Sequence, residues 1–150
     1  PKDIHAVLMG GHGDTMVPVP RDTTVSGIPE TEMIAADKLE SIIHRTKVGG
    51  GELVNLMGTS AWYAPGAAAA QMVEAIVRDQ KRIFPCCAWL QGEYGQKDIY
   101  LGVPVKLGKK GIEQIIELKL NTEEKQLLDG SAKAVKEVMN VLDGMQQPVK

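Results

Sequence analysis

The fold is decided by residues 81–118, which read KRIFPCCAWLQGEYGQKDIYLGVPVKLGKKGIEQIIEL. This stretch contains three runs rich in apolar and β-branched residues: Ile83–Leu90, Ile99–Leu107 and Gly111–Leu118. Turn-forming residues at Gln91–Gly95 and Gly108–Gly111 separate the runs. Short runs joined by short turns favour neighbouring antiparallel strands, because a hairpin needs only a few linking residues. The sequence therefore predicts an antiparallel meander.

Helical patterns flank this meander on both sides. Asn121 and Glu124 have the spacing of a capping box, and apolar residues then recur at three- and four-residue steps up to Leu142. Gly144 is predicted to end this helix. Another helix is predicted around Ala67–Ala70, whose small side chains let a neighbouring helix approach closely in the core or at a subunit interface.

The N-terminal part of the chain predicts a strand, irregular structure and further helices. Residues 4–9 are predicted to form a buried strand that runs into a tight glycine turn at residues 10–11. Thr31–Thr46 predicts an amphipathic helix or a pair of helices. A flexible turn at Gly49–Gly51 and a short helix ended by Gly58 are predicted to follow.

These elements together predict one α+β domain over residues 1–150, an antiparallel sheet with packed helices. A dinucleotide-binding turn has the pattern G-x-G-x-x-G between a strand and a helix. Gly10, Gly11 and Gly13 do not complete that pattern, and Pro18 opposes a helix at this point. The chain by itself is therefore predicted to lack a Rossmann domain.

Composition argues against several classes of protein. The chain has 150 residues, of which 43% are hydrophobic and 24% charged, the balance of a folded globular domain. Its net charge of -2, without a basic block, gives no reason to expect nucleic acid as a partner. No apolar run approaches the roughly 18 residues that a membrane-spanning helix needs. The adjacent Cys86 and Cys87 are predicted to be small buried residues that do not bond to each other, as in a reducing, cytoplasmic setting.

His12 is the strongest candidate for chemistry among the three histidines. It lies just past a predicted strand, between Gly11 and Gly13, and these glycines leave room for a substrate or a flat ring. His5 alternates with apolar neighbours and His44 lies in a charged helical segment, so simpler roles are expected for both. Spacing alone leaves three alternatives for His12: a catalytic group, a structural turn residue, or a metal ligand that lacks the further ligands zinc needs.

Longer motifs resemble a known family. They read GGHGDTMVPVPRDTTVSGIP at residues 10–29, MGTSAWYAPGAAAAQMVEAI at residues 57–76, and the stretch 81–118 quoted above. In this order, and together with the terminal helix, they resemble the C-terminal, substrate-binding domain of the lactate/malate dehydrogenase family over essentially the whole chain. Within that family, the TSAWYAPGAA version is most similar to the lactate-dehydrogenase-like malate dehydrogenases of bacteria.

The resemblance implies an NAD-dependent malate dehydrogenase of the tricarboxylic acid cycle, cytoplasmic and homodimeric or homotetrameric. His12 would donate a proton to oxaloacetate during reduction and would accept one from malate in the reverse direction. Ser60, with Thr59 beside it, falls where the family lines the substrate end of the pocket; alternatively, Ser60 caps the helix that follows. Asp14 would shape the loop.

The resemblance also implies that much of the site lies outside this chain. The family's Rossmann domain, its orienting aspartate and its substrate-gripping arginines all lie upstream of the HGD motif, whereas the chain begins at Pro1. We therefore expect a fragment that is inactive alone, with NAD bound mainly by the absent N-terminal half. Arg21, Arg45, Arg78 and Arg82 have no matching context and are not expected to replace the missing arginines.

Two alternatives remain open. The substrate can be lactate or another 2-hydroxy acid, because the absent upstream loop helps to set that choice in the family. Alternatively, the chain is a non-catalytic oligomerisation module driven by the helix around Ala67–Ala70. That second alternative predicts that His12 is buried without access to a cleft.

Overall fold

Two antiparallel sheets and four α-helices make up residues 3–145, the part of the chain that the computed structural model describes. The strands are β1 (Ile4–His5), β2 (Leu8–Gly10), β3 (Met16–Pro18), β4 (Thr24–Val25), β5 (Ile28–Pro29), β6 (Arg82–Gln91), β7 (Lys97–Gly108) and β8 (Gly111–Ile115). The helices are α1 (Glu30–Met33), α2 (Ala36–Met57), α3 (Tyr63–Val77) and α4 (Thr122–Met145). The predicted α+β class with antiparallel strands is confirmed. Of the predicted domain span 1–150, residues 1, 2 and 146–150 lie outside the described residues.

The larger sheet is built around β7. One edge of β7 pairs with β6 from Lys97 to Leu107. The other edge is shared, because β2 pairs at Gly102 and β8 pairs with residues 105–108. Strand β3 completes this sheet by pairing with β2. The predicted meander of β6, β7 and β8 is confirmed, although β8 ends at Ile115 rather than at residue 118.

Alternate residues of β6 form part of the hydrophobic core. Cys86, Ala88 and Leu90 face inward and are buried, whereas the residues between them are exposed. Leu128 and Ala132 of α4 belong to the same core cluster and are also buried. Burying a large aliphatic side chain contributes about 1.5–3 kcal/mol, so this contact holds α4 firmly on the sheet.

The two cysteines lie on opposite faces of β6, as neighbours on a strand must. Both are free thiols, which confirms that they do not bond to each other. The prediction that both are buried is wrong for Cys87, which is exposed because it belongs to the outward set of the strand. Burial raises the pKa of the Cys86 thiol above its ordinary value.

The N-terminus of α4 is held by a capping box and an ion pair. The backbone N–H of Asn121 donates to Glu124 Oε2 (2.8 Å), and the N–H of Glu124 donates to Asn121 Oδ1 (2.9 Å), which confirms the predicted box. Arg21 donates from Nε to Glu124 Oε1 (3.1 Å) and from Nη2 to Glu124 Oε2 (2.9 Å) and to the Lys119 carbonyl (2.9 Å). We call this arrangement the Arg21–Glu124 clasp. It joins the loop after β3 to a helix 103 residues further along the chain.

Helix α2 differs from its prediction. The segment Gly49–Gly51, predicted as a flexible turn, lies inside one continuous helix of 22 residues. Glycine adopts helical dihedrals at a cost of about 1 kcal/mol relative to alanine, so three glycines weaken a helix without forcing a break. A bidentate ion pair from Arg45 to Glu52 spans the glycine segment, with N–O distances of 3.2 and 3.0 Å. The predicted end at Gly58 is confirmed, with φ of 69° and its N–H donating to the Val54 carbonyl.

The predicted strand over residues 4–9 is divided between two sheets. Strand β1 joins the smaller sheet of order β1-β4-β5, and β2 joins the larger one. Val7, between them, accepts from the N–H of Val19 (3.0 Å) and donates to Thr23 Oγ1 (3.1 Å). These bonds to the loop after β3 take the place of a strand partner at residue 7. The apolar pattern was read as one strand because it does not record which neighbour each backbone group meets.

Helix α4 also extends beyond its predicted end. Gly144 lies inside the helix, which continues to Met145, the last described residue. None of the helices in the described range is both long and apolar enough to cross a bilayer.

Candidate active site

His12 lies between the end of β2 and a short 3-10 turn formed by Gly13–Thr15. Its backbone is extended, with φ of −97° and ψ of 148°, and its side chain is exposed. The chain therefore presents the imidazole just past the end of β2, beside the middle of β7. This placement agrees with the expected strand-to-loop junction.

Close packing on both sides of Gly10 fixes the strand that carries His12. A Cβ on Gly102 of β7 would lie 2.6 Å from the Gly10 carbonyl oxygen, and a Cβ on Gly10 would lie 2.5 Å from Ser131 Oγ of α4. Gly10 also has a φ of 82°, a backbone conformation that residues with a side chain rarely adopt. Glycine is thus required at Gly10 by both space and conformation, and at Gly102 by space.

The glycines beside His12 were expected to leave room for a substrate or a flat ring, and only one of them does. A Cβ on Gly11 would collide with Thr15 Oγ1, so this position is filled by the protein itself. A Cβ on Gly13 would meet nothing within 4 Å, so only this side of His12 is open. The N–H of Gly11 donates to Ser131 Oγ at 2.7 Å, which ties the loop to α4.

His12 borders a cavity of about 520 Å³ on the larger sheet. The lining is mostly apolar and comes from β2, β3, β6, β7 and α4, with Met9, Met16, Cys87, Tyr100 and Val135 among its side chains. An exposed imidazole at a cavity of this size is what a proton-transfer role requires. The oligomerisation alternative predicted a His12 buried away from any cleft, and that prediction is wrong.

Ser60 is placed apart from this cavity. It is exposed, in the segment between α2 and α3, and it is not among the residues that line the cavity. The alternative role of Ser60 as a helix cap is wrong, because the N-cap residue of α3 is Trp62 and no side chain caps the helix. Thr59 is exposed in the same segment. A substrate contact by Ser60 stays a prediction.

The four arginines that have no matching context in the family each have a partner of their own. Arg21 and Arg45 pair with Glu124 and Glu52, whereas Arg78 pairs with Glu74 at 3.0 Å. The guanidinium of Arg82 lies 4.5 Å from the centre of the Phe84 ring. Each arginine therefore has a local structural partner, and none lines the cavity of His12.

No carboxylate within the described range forms a salt bridge with His12. Asp14 is exposed in the 3-10 turn. The same range contains no group of three or more His, Cys, Asp or Glu side chains placed to hold a metal ion. The imidazole has no orienting partner from these residues.

Comparison with known proteins decides which family this site belongs to. The family model described as lactate/malate dehydrogenase, alpha/beta C-terminal domain, matches residues 1–144. The chain belongs to the lactate/malate dehydrogenase family. Within this family it is 71% identical over 147 residues to a malate dehydrogenase of Cytophaga hutchinsonii, covering 98% of this chain and 47% of that protein.

Solved structures of the family have the same fold. A malate dehydrogenase structure from Salinibacter ruber superposes with a TM-score of 0.94 and 56% identity, covering 97% of this chain and 48% of that one. A lactate dehydrogenase from Eimeria maxima, solved with NADH and oxamate, superposes with a TM-score of 0.90 and 41% identity, covering 99% and 49%. The chain thus spans about half the length of the relatives it matches, and the expected C-terminal domain is confirmed.

One residue of this family domain was missed by the sequence analysis. Ser131 is buried on α4 and bonds to the loop of His12, although the two partners are 120 residues apart. Its apolar helical context gave no signal for such a contact. Only the docking of α4 on the sheet reveals it.

Proposed function

We propose that this chain supplies the substrate-binding half of an NAD-dependent malate dehydrogenase, with His12 as proton donor and acceptor. The observation that carries the proposal is the exposed imidazole at the rim of a cavity, within a chain 71% identical to a malate dehydrogenase. The chain, if joined to a nucleotide-binding half, interconverts malate and oxaloacetate in the tricarboxylic acid cycle.

The chemistry assigned to His12 follows from the charge that the reaction creates. Adding hydride to the ketone of oxaloacetate leaves negative charge on its oxygen, and an imidazolium can neutralise it by donating a proton. In the malate direction, a neutral His12 takes the hydroxyl proton. Histidine suits both directions because imidazole exchanges protons near neutral pH.

NAD supplies or accepts the hydride when it is bound, but the described residues after β2 do not form a dinucleotide-binding turn for it. After β2, the glycines lead into a three-residue 3-10 turn and then into β3, not into a helix that could face a pyrophosphate. We therefore assign NAD binding mainly to the N-terminal half. Separately, we propose a cytoplasmic location, which the family resemblance implies.

The proposal is tested in a chimera that joins the N-terminal half of the Cytophaga hutchinsonii relative to this chain. The chimera is expected to oxidise NADH with oxaloacetate, whereas the 150-residue chain alone shows no turnover. Changing His12→Asn is expected to lower kcat by about 10²- to 10⁴-fold, the usual contribution of general acid–base catalysis. His44→Asn, an exposed change on α2, is the matched control and should leave kcat unchanged. Full activity of the His12→Asn chimera would overturn the assignment.

Ser60 is proposed to contact the substrate end of the pocket once both halves are joined. Its exposure in the α2–α3 segment leaves its hydroxyl free for such a contact. Ser60→Ala in the chimera is expected to raise KM for oxaloacetate by about twofold to tenfold, the worth of one hydrogen bond. Ser41→Ala on α2 is the control, and an unchanged KM for Ser60→Ala would remove Ser60 from the site.

A second substrate class is favoured by one observation. The Eimeria maxima relative, a lactate dehydrogenase, matches almost the whole chain at 41% identity. Lactate or another 2-hydroxy acid is therefore the alternative substrate. The chimera would distinguish them by its kcat/KM for oxaloacetate and for pyruvate, since a site that pairs the second carboxylate rejects pyruvate by orders of magnitude.

A further inference from the structure

We propose that Ser131 is a positioning residue for His12, holding the active-site loop through its hydroxyl. Ser131 Oγ accepts the N–H of Gly11, the residue directly before His12, at 2.7 Å. The side chain is 3% exposed, so water does not compete freely for this bond. The inference rests on the proposed function for its catalytic meaning and on the geometry alone for the anchoring.

Contacts among three elements, β2, β7 and α4, hold the loop with little freedom. Gly102 on β7 touches one side of Gly10, as the 2.6 Å from its notional Cβ to the Gly10 carbonyl oxygen shows. Ser131 touches the other side, with Oγ 2.5 Å and Cβ 3.1 Å from the notional Cβ of Gly10. The end of β2 is therefore held between β7 and α4, and the Ser131 side chain fills the space on the α4 side.

The next turn of α4 continues this contact. Val135 lies four residues after Ser131, so both face the same way. Its Cγ2 lies 3.4 Å from the notional Cβ of Gly11, and Val135 also lines the cavity that His12 borders. Ser131 and Val135 thus form one surface of α4 against residues 10–11. The Ser131 hydroxyl also fixes the orientation of the loop, because it accepts a hydrogen bond from one particular N–H, that of Gly11.

Positioning matters here because His12 has little else to fix it among residues 3–145. No salt bridge in this range involves its ring, and its side chain is exposed. The position of the Gly11 backbone therefore largely determines where the His12 side chain leaves the main chain. A displacement near 1 Å at a proton-transfer group can cost about a hundredfold in rate.

The anchoring is tested in the 150-residue chain by NMR, independently of activity. Ser131→Ala is expected to speed hydrogen exchange of the Gly11 amide by about tenfold or more and to shift the His12 ring signals. Ser131→Cys keeps a weak acceptor of similar shape, so its Gly11 exchange rate should lie between those of the unmodified chain and Ser131→Ala. Ala132→Gly on the same helical turn is the control: it weakens α4 but keeps the hydroxyl, so Gly11 protection relative to neighbouring amides should persist.

The catalytic consequence is tested in the chimera. Ser131→Ala is expected to lower kcat about tenfold with less than a twofold change in KM, because Ser131 is buried and does not line the cavity of His12. Unchanged Gly11 exchange and His12 signals would overturn the anchoring. Altered NMR signals with an unchanged kcat would overturn the positioning role. An inactive chimera without any substitution at Ser131 would refute the proposed function, whereas the NMR result on anchoring would remain valid.

Discussion

At the scale of single residues, the site depends on two glycines, because the lack of a side chain lets two strands approach closely. Gly10 and Gly102 let β2 and β7 approach until a carbonyl oxygen occupies the space where a side chain would begin. This contact brings the loop of His12 onto the sheet. Small residues at these positions are thus part of the site, although they carry no reactive group.

Gly102→Ala tests this contact. The added methyl would lie 2.6 Å from the Gly10 carbonyl oxygen, and backbone cannot move aside as a flexible side chain can. We expect the free energy of unfolding to fall by about 1–3 kcal/mol, the usual cost of overpacking. Urea denaturation of the purified chain, followed by circular dichroism, measures it.

Gly50→Ala is the matched control for that substitution. Gly50 is helical in α2 and a Cβ there would meet nothing within 4 Å. The same methyl should therefore raise stability by about 0.4–1 kcal/mol, because alanine favours a helix over the unfolded chain. A stable Gly102→Ala protein would show that β2 and β7 can separate at this point.

At the scale of elements, the Arg21–Glu124 clasp couples the loop after β3 to the start of α4. The hydrogen bond from Arg21 lowers the pKa of the Glu124 carboxyl below its ordinary value. A carboxyl with a lowered folded-state pKa stabilises the fold above its unfolded pKa. That contribution is lost as pH falls through the folded pKa.

The clasp therefore predicts a specific acid sensitivity. Between neutral pH and the acid range below about 4.3, the ordinary pKa of glutamate, the unmodified chain should lose stability. Glu124→Gln should lower stability at neutral pH and reduce this loss on acidification. Urea midpoints measured at several pH values would show it, with Glu123→Gln, an exposed change in the same helical turn, as control. Parallel pH profiles for all three proteins would contradict the prediction.

Elements with a strong local pattern could be predicted from the sequence. The β6–β7–β8 meander and the Asn121–Glu124 box follow from alternation and spacing that each segment carries by itself. The continuity of α2 could not be predicted, because glycine signals a turn unless neighbouring turns hold the helix. The division of residues 4–9 and the bond to Ser131 depend on partners far along the chain, which periodicity does not identify.

The candidate site divides in the same way. His12 and its loop are identifiable because a motif marks them, and the structure places the ring at a cavity. Ser60 has a motif but no contact with that cavity among the described residues, so its role awaits the joined halves. Ser131 has the contact but no motif.

At the scale of the whole molecule, α2 and α3 leave apolar side chains exposed. Each helix buries only one residue, Leu39 and Ala75 respectively. Leu56, Trp62 and Tyr63 are 77%, 73% and 86% exposed. Such surface is costly to leave in water, so we propose that the homodimer or homotetramer implied by the family resemblance covers part of it.

The oligomer is tested by analytical ultracentrifugation of the chimera. We expect a mass of two or four subunits. Leu56→Arg should shift the protein towards smaller species, because it places a charge in an apolar contact. Asn55→Arg adds the same charge at the neighbouring exposed position and should have the smaller effect. A monomeric chimera would refute the proposal.

The bond between Gly11 and Ser131 also has a consequence for the order of folding. Its partners are 120 residues apart, and the clasp joins residues 103 apart. During synthesis from the N-terminus, the segment with His12 therefore leaves the ribosome well before α4 does. Contacts of such long range form late and slow the folding reaction. The loop of His12 is therefore completed only after α4 has emerged from the ribosome, so a product truncated before Ser131 carries the motif without the loop geometry.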